Sequence, residues 1–329
     1  MVTHCHARAE ETGMDLEEEF VEHRGPLIIF CYRMLGSLQD AEDAVQETYI
    51  RAWRAADKFE HRSSFRTWLY RIATRVCLDA LQHSSRRFIP SALGSPGTDL
   101  DNLLGPTTDI SWLEPLPDAM MTSDPAAVVD HRQSLRLAFI AALQHLPPRQ
   151  RAVLVLREAL AWPAADVAAL LDTTPAAVNS SLQRARATLA DLAPKEDQIS
   201  EPDDPSRRSL LDQYAAAFET ADLSKLERLL TEDVRWEMPP MPTWFSGRND
   251  VLQLLATKLV AKENLRRMVS TSANSQPAFA MYHRGADGHF HAHSLQVLTL
   301  NSSQVSAILA FHHPNLFPHF GLPTSQPGR

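Results

Sequence analysis

Residues 146–192 constrain the fold most, because the helical periodicity of this segment is broken by one tight turn. The tripeptide Asp172-Thr173-Thr174 interrupts the pattern, and Pro175 begins a new helix, where its missing N–H costs no hydrogen bond. Apolar residues precede the turn at helical spacing. They are Val153, Leu156, Leu160, Val167, Leu170 and Leu171. This arrangement predicts a helix-turn-helix.

The helix that begins at Pro175 has an apolar face and a polar face. Its apolar residues are Val178, Leu182, Ala185 and Leu189. Its outward residues are Ala176, Asn179, Ser180, Gln183 and Arg184. Small, polar and basic side chains on an exposed helix suit the major groove of DNA, where they reach base edges. The alternative is an ordinary helical hairpin in another kind of domain.

An acidic helix is predicted near the N-terminus. The run Ser37-Leu38-Gln39-Asp40 resembles a capping box, and the helix that follows turns Ala41, Val45, Thr48 and Ala52 to one face. The opposite face carries Asp40, Glu42, Asp43, Gln46 and Glu47. Taken alone, such a face is either a docking surface or a solvated helix surface.

Basic and aromatic residues alternate in the next helical segment, which Ser63 or Ser64 can cap. Cations hold a nucleic-acid backbone while aromatic rings stack on unpaired bases, and a polar loop can receive a base turned out of the stack. The candidate residues are Arg62, Ser63, Ser64, Arg66, Thr67, Trp68, Arg71, Thr74 and Arg75, with Tyr70 beside them. This composition favours a contact with melted DNA.

The net charge of −8 hides two oppositely charged segments. Residues 60–90 hold six Arg against two acids, whereas residues 88–130 hold seven acids and no Lys or Arg. Local charge governs contact with phosphate, so the average does not exclude DNA binding. Residues 89–123 are also rich in Pro, Gly and Ser and lack periodicity, which predicts a linker.

The pattern changes again after residue 205, to two helices, a Pro-rich loop, a further helix and β-like runs. Strands are predicted at residues 234–238, 267–272, 278–283, 289–300 and 304–311. This part of the chain is therefore expected to form an α+β domain.

The motifs together resemble a known family. The runs DAEDAVQETYIRAW, FRTWLYRIATRVCLDALQ and LPPRQRAVLVLRE, followed by the helix-turn-helix, resemble the extracytoplasmic-function sigma factors over residues 14–193. Residues 205–329 resemble the SnoaL-like branch of the NTF2-like fold, a curved sheet that forms a cone with an apolar pocket. With FGLP near the end, the whole chain is similar to the SnoaL-bearing, SigG-like sigma factors of actinobacteria.

The resemblance implies a multidomain protein with two all-α domains and an α+β cone. The first domain would span residues 14–88, an acidic linker 89–123, the helix-turn-helix domain 124–193 and the cone 205–329. The implied partners are promoter DNA and core RNA polymerase, through its β′ clamp helices and β flap. Three widely spaced cysteines, Cys5, Cys31 and Cys77, and the lack of a long apolar run predict a cytoplasmic protein without membrane contact, and no cofactor or metal is expected.

Site residues follow from the same resemblance. The acidic face from Asp40 to Glu47 would bind the β′ clamp helices, and residues 62–75 would melt and read the −10 element. Residues from Thr174 to Arg186 would read the −35 element. Many relatives carry Val-Lys-Ser-Arg where this chain has Val178-Asn179-Ser180-Ser181, so we expect weaker and less salt-sensitive upstream binding.

The linker has two interpretations. In related sigma factors the connector threads the basic RNA-exit path of the polymerase, which an acidic, Pro-rich segment suits. A flexible acidic tether between two domains has the same composition. The threaded interpretation is the one we favour on the sequence.

The C-terminal domain is expected to line its cone with aromatic and apolar residues. The candidates are Tyr214, Trp236, Met238, Trp244, Phe245 and Tyr282. Arg235 and Glu237 point away from Trp236, which leaves no convincing acid–base pair, so an enzyme is not expected. His289, His291 and His293 alternate along one strand, a spacing that a metal could use, although a polar sheet face is the simpler interpretation.

Three hypotheses describe the C-terminal domain. It regulates the sigma factor in cis, by packing on the first domain or on the linker; or it is a small-molecule sensor; or it is a fused enzyme. The sequence favours the first two.

Overall fold

The computed structural model describes residues 16–59, 63–83, 86–100, 104–121, 135–192, 205–259, 265–301 and 303–328. The chain divides into two compact units. One unit comprises Met1–Arg87 and Ala119–Ala193, and the other comprises Phe88–Asp118 and Pro194–Arg329. The acidic segment that the sequence marks as a linker therefore belongs mainly to the C-terminal unit.

Three helices form the first part of the helical unit. They are α1 (Leu16–Leu35), α2 (Leu38–Ala55) and α3 (Phe65–His83). The hydroxyl of Ser37 accepts the N–H of residue 40 at 3.1 Å, and that of Ser64 accepts the N–H of residue 67 at 3.2 Å. Each hydroxyl satisfies one donor that a helix start leaves without a partner in its own helix. Local sequence thus determines where α2 and α3 begin.

Four further helical segments are described in this unit. They are α4 (Leu137–Leu143), α5 (Pro148–Leu154, continued by a π turn at Val155–Ala159), α6 (Ala164–Leu170) and α7 (Pro175–Leu192). The predicted apolar face of α7 is buried at Val178, Leu182, Ala185 and Leu189. The turn between α6 and α7 includes one residue with a positive φ of 50°. The predicted helix-turn-helix is confirmed.

The second unit combines three helices with a mixed sheet. The helices are α8 (Pro205–Glu219), α9 (Leu223–Leu229) and α10 (Arg248–Lys258). The strands are β1 (Leu230–Glu237), β2 (Trp244–Ser246), β3 (Arg266–Ala273), β4 (Gln276–Arg284), β5 (Phe290–Asn301), β6 (Gln304–Phe311) and β7 (Ser325–Gln326). Their order is β2-β1-β6-β5-β4-β3, and β7 pairs with β5. Strands β1 and β6 are parallel, and the other pairs are antiparallel.

Helix α8 packs on the inner face of this sheet. The ring of Tyr214 stacks on Phe279 with centroids 5.8 Å apart, and Phe218 stacks on Trp236 at 6.0 Å. These four residues belong to one buried apolar cluster. The predicted fold class, two helical domains and an α+β domain, is confirmed. Strands β2 and β7 escaped prediction because three and two residues are too few for a periodic pattern.

None of the helices formed by the described residues combines the length and the hydropathy that a membrane span needs.

Candidate functional sites

The recognition helix α7 exposes every residue that the sequence predicts for it. Thr174, Ala176, Asn179, Ser180, Gln183, Arg184 and Arg186 are all exposed. The hydroxyl of Thr174 accepts the N–H of residue 177 at 3.2 Å and so caps the helix. Arg186 donates to Glu158 Oε1 at 2.6 Å, whereas Asn179 and Gln183 lie one turn apart on the same exposed face.

The start of helix α3 carries the predicted basic and aromatic residues. Ser64 caps the helix, and Trp68 packs against Phe59 at 4.8 Å and Phe65 at 5.7 Å between ring centroids. The guanidinium of Arg66 lies 5.7 Å from the ring centroid of Tyr70. Arg62 lies outside the described residues. Ser63, Thr67 and Arg71 are partly exposed, and Arg75 is exposed.

One predicted DNA-contacting residue of α3, Thr74, and its neighbour Tyr70 are buried. Thr74 is fully buried, and its hydroxyl donates to the carbonyl of Tyr70 at 2.7 Å. Tyr70 packs edge-on against Phe30 at 5.3 Å and against Trp162 at 6.3 Å. The prediction that Thr74 faces outward was wrong, and the neighbouring Tyr70 is covered by Phe30 and by Trp162, which is far away in sequence.

The acidic face of α2 divides into paired and exposed groups. Three of its carboxylates are held by arginines of the same unit: Asp40 pairs with Arg87, Glu42 with Arg24 at 3.8 Å and Glu47 with Arg51 at 2.7 Å. Asp43 and Gln46 are exposed. Asp43 is therefore the most exposed of the four carboxylates predicted for this face.

Arg151 is a structural residue that the sequence did not single out. Its side chain is 2% exposed and donates to Gln144 Oε1 at 2.7 Å, to the carbonyls of Gln144 at 3.1 Å and Leu146 at 3.3 Å, and to that of Met34. Burial, with a smaller contribution from Arg86, lowers the pKa of Arg151 to about 10. This one guanidinium joins the end of α1 to the start of α5. The sequence signal that could have indicated this role is an arginine among apolar residues of a helix.

The acidic connector, Phe88–Asp118, is bound along the C-terminal domain. The N–H of Gly97 donates to the carbonyl of Trp244 at 2.7 Å, and the indole N–H of Trp244 donates to Gly94 at 2.9 Å. At the opposite edge of the sheet, the N–H of Leu116 donates to Asn274 Oδ1 at 2.8 Å, and the N–H of Asn274 returns a bond to Leu116 at 2.9 Å. The connector thus runs from β2 to the β3–β4 turn.

Several apolar residues in the second half of the connector are buried. Leu113 and Leu116 are buried, and Trp112 is 9% exposed, whereas the acidic residues Asp99 and Asp109 are exposed. This arrangement differs from both interpretations of the linker, threaded and freely flexible, whereas the hypothesis of regulation in cis included packing of the C-terminal domain on the linker.

Glu237 contacts the connector. The sequence correctly places it on the face opposite Trp236, but it does not indicate this contact. Its side chain is 1% exposed, and one carboxylate oxygen accepts the N–H of Ser91 at 2.9 Å. Burial raises the pKa of Glu237, partly offset by the hydrogen bonds from Ser91. The carboxyl group is therefore part of the surface that binds the connector.

The predicted cone residues separate into two groups. Tyr214, Trp236, Met238 and Phe245 lie in the interior cluster, and the hydroxyl of Tyr214 donates to Gln296 at 2.8 Å. Trp244 instead binds the connector, and Tyr282 packs on Phe317 at 5.1 Å with its hydroxyl donating to Pro323 at 2.9 Å. The prediction that Trp244 and Tyr282 line the interior was wrong. Strand alternation turns Trp244 to the opposite face from Phe245, and Tyr282 contacts residues near the C-terminus.

The sequence predicts that the three alternating histidines share one face, and two of them do meet at His283: His291 is its direct cross-strand partner and His293 stacks on its ring, although a bulge interrupts the alternation. His289 and His291 are exposed and approach Asp287, and His291 Nε2 lies 2.9 Å from its carboxylate. His293 is the extra residue of a β-bulge and stacks on His283 at 3.8 Å. Among the described residues, no group of three or more His, Cys, Asp or Glu side chains has metal-binding geometry.

Three family matches cover these regions. Residues 20–87 match Sigma-70 region 2, residues 136–189 match Sigma-70 region 4, and residues 211–301 match the SnoaL-like domain. The chain is 47% identical to the ECF RNA polymerase sigma factor SigG of Mycobacterium tuberculosis over 320 residues, which are 96% of this chain and 86% of that protein.

A second relative is SigJ of Mycobacterium tuberculosis, which is 32% identical over 218 residues, or 66% of this chain and 62% of SigJ. The crystal structure of SigJ has a TM-score of 0.62 to this chain at 22% identity, covering 94% of this chain and 100% of that one, and so shares its fold. Together with the helix-turn-helix, the basic helix and the C-terminal cone, these matches show that the chain belongs to the extracytoplasmic-function RNA polymerase sigma factors that carry a SnoaL-like domain.

Proposed function

We propose that this sigma factor directs core RNA polymerase to its promoters in the cytoplasm, and that its SnoaL-like domain modulates this activity in cis by holding the connector. In this scheme α2 docks on the β′ clamp helices through Asp43 and its neighbours. Helix α3 melts and reads the −10 element, and α7 reads the −35 element. The exposure of Asp43, Arg75, Asn179 and Gln183 supports these assignments.

The observation that carries the regulatory part is the reciprocal bond pair between Leu116 and Asn274. It fixes the connector backbone to the β3–β4 turn, and the N–H of Ser275 adds a bond to Asp118 Oδ1 at 2.8 Å. Burial of each large apolar side chain, such as Leu113 or Leu116, contributes about 1.5–3 kcal/mol. Because the contact is intramolecular, it forms without any demand on protein concentration.

A connector that lies on the C-terminal domain is not at the same time inside the polymerase. The polymerase and the SnoaL-like domain therefore compete for one segment, and the strength of the docking sets how readily the sigma factor engages core enzyme. A weaker docking contact favours the polymerase-bound state by the same free energy.

The β3–β4 turn offers a matched pair of variants. Asn274 and Ser275 both have positive φ, of 55° and 57°, which glycine adopts without strain. Asn274→Gly removes the oxygen that accepts the Leu116 N–H, whereas Ser275→Gly keeps the backbone N–H that binds Asp118.

The experiment measures core-polymerase binding and promoter-dependent transcription with full-length protein. We expect Asn274→Gly to bind core polymerase several-fold more tightly than the parent chain, while Ser275→Gly stays close to the parent. Equal affinities for all three proteins would reject regulation through the connector.

The SnoaL-like domain is proposed to regulate without turning over a substrate. The buried carboxyl group that the sequence places next to the cone, Glu237, points to the connector and not to the interior residue Trp236. The interior therefore gains no proton-transfer group from this strand.

A further inference from the structure

A row of basic side chains crosses the inner face of the sheet at one level. Arg266 on β3 is the direct partner of His283 on β4, and directly opposed residues share a face. The ring of His283 stacks on His293 of β5 at 3.8 Å, and His293 meets the ring of His312, after β6, edge-on at 4.9 Å.

The row borders the interior cluster. Met268 and Met281 lie two residues from Arg266 and His283, and both belong to that cluster, so they occupy the same face one step further in. Ser294 is the partner of Met281 and is fully buried.

Several buried polar atoms in this row and directly beside it have no hydrogen-bond partner among the described residues. They are Arg266 Nη1, His283 Nε2, His293 Nδ1 and Ser294 Oγ. The other terminal nitrogen of Arg266 donates to the carbonyl of Lys258 at 2.8 Å, which fixes the guanidinium. A buried polar atom without a partner is destabilising, and four such atoms close together are unusual for a purely structural face.

The charge of the row favours an anion. Burial, with neighbouring His293 and Arg266, lowers the pKa of His283 to about 4, and burial with His293, His283 and Lys258 lowers the pKa of His312 to about 3. Burial and Arg266 also lower the pKa of His293. The imidazoles are therefore neutral near pH 7, and the charged groups that shift these three pKa values are cations.

We propose that Arg266, His283, His293 and Ser294 form a binding site for a small organic monocarboxylate with an apolar body. One fixed guanidinium matches one negative charge, the imidazole and hydroxyl groups supply neutral hydrogen bonds, and Met268 and Met281 contact the apolar part. A metal ion fits poorly, because Arg266 and Lys258 repel it.

This site lies on the face opposite Glu237, which the connector covers, so its test is independent of the proposed regulation. The chain also provides a neighbouring control. Arg267 alternates with Arg266, donates to Gln326 at 3.0 Å and lies 4.1 Å from the ring centroid of Phe290.

The experiment is calorimetric titration of the full-length protein with sodium benzoate and sodium octanoate, and with benzamide and octanamide as neutral probes. We expect at least one carboxylate to bind, its amide to bind at least tenfold more weakly, and Arg266→Gln to weaken the carboxylate at least tenfold. Arg267→Gln should leave the affinity unchanged.

Thermal unfolding checks that each variant is folded, and Arg266→Lys, which keeps the charge, provides a second test if the glutamine variant is unstable. Partial retention of binding by the lysine variant supports the site. Absence of binding by both carboxylates, equal binding of acids and amides, or a zinc chloride titration that saturates through His283 would overturn it.

Discussion

Helix α7 and the connector both carry many polar residues, yet they differ in how they are bound to the rest of the molecule. Helix α7 buries four apolar residues and turns Asn179, Gln183 and Arg184 outward. The connector has no helical periodicity, but it buries Trp112 and Leu116 and is bonded to both edges of a sheet. The polar side chains of α7 remain exposed, whereas the connector is already bound to the C-terminal domain.

The comparison teaches that exposure and irregularity are separate properties. Periodicity identifies residues that a regular element turns to solvent, and it did so correctly for α7. An irregular segment gives no such signal, because each of its contacts depends on a distant partner such as Asn274 or Glu237. Acidic composition therefore describes only the outer side of the connector.

The largest expected effect on connector docking comes from placing a charge at a buried position of the connector. Leu116→Asp puts a carboxylate at a buried position, which costs several kcal/mol unless the group is paired. We expect hydrogen exchange at the Gly97 and Leu116 amides to accelerate by on the order of a hundredfold or more. Leu104→Asp, on an exposed residue of the same connector, should change little.

The second largest effect is expected in helix α7, where Gln183→Ala should weaken discrimination between bases. A good base contact contributes about 1–3 kcal/mol of discrimination, so promoter preference at one upstream position should relax by roughly 5–150-fold. Competition binding with single-base variants of the upstream element measures this change. Gln213→Ala, an exposed glutamine of the C-terminal domain, is the control. Unchanged discrimination would remove Gln183 from the reading surface.

A smaller effect is expected at the acidic face of α2. Asp43→Lys reverses the exposed charge without breaking the Glu47–Arg51 pair, and we expect core polymerase to bind about tenfold more weakly at low salt. The loss should shrink as salt is added, because exposed charges are screened. Asp212→Lys, also exposed, serves as the matched control; an equal loss in both variants would place the docking surface elsewhere.

The smallest effect concerns pH. The pKa of Glu237 is raised while the connector is docked, so the docked state holds the proton more readily. Docking is therefore strongest below the ordinary pKa of glutamate and weakens as pH rises through the raised pKa. Exchange of the Ser91 amide, corrected for its intrinsic pH dependence, should report this loss of protection. Glu237→Gln should abolish the dependence, and Asp109→Asn should preserve it.

Much of the fold could be predicted from the sequence, because local patterns specify it. The boundaries predicted for β6 are those observed, and the cap at Ser37 starts α2 as expected. Residues whose surroundings come from elsewhere in the chain were missed. Thr74 is buried beside a tyrosine that Trp162 covers, and His293 leaves the strand's alternation at a bulge.

The central claim is that the docked connector prevents full engagement of core polymerase, and a reversible cross-link tests it most directly. Pro117 and Ala273 face each other in an antiparallel bridge, where Cα atoms lie about 4.5–5.5 Å apart, within the range of a disulfide. Cysteine at both positions would lock the connector under oxidising conditions. We predict that the oxidised protein fails to support promoter-dependent transcription and that reduction restores it. Full transcription by the oxidised protein would contradict the account.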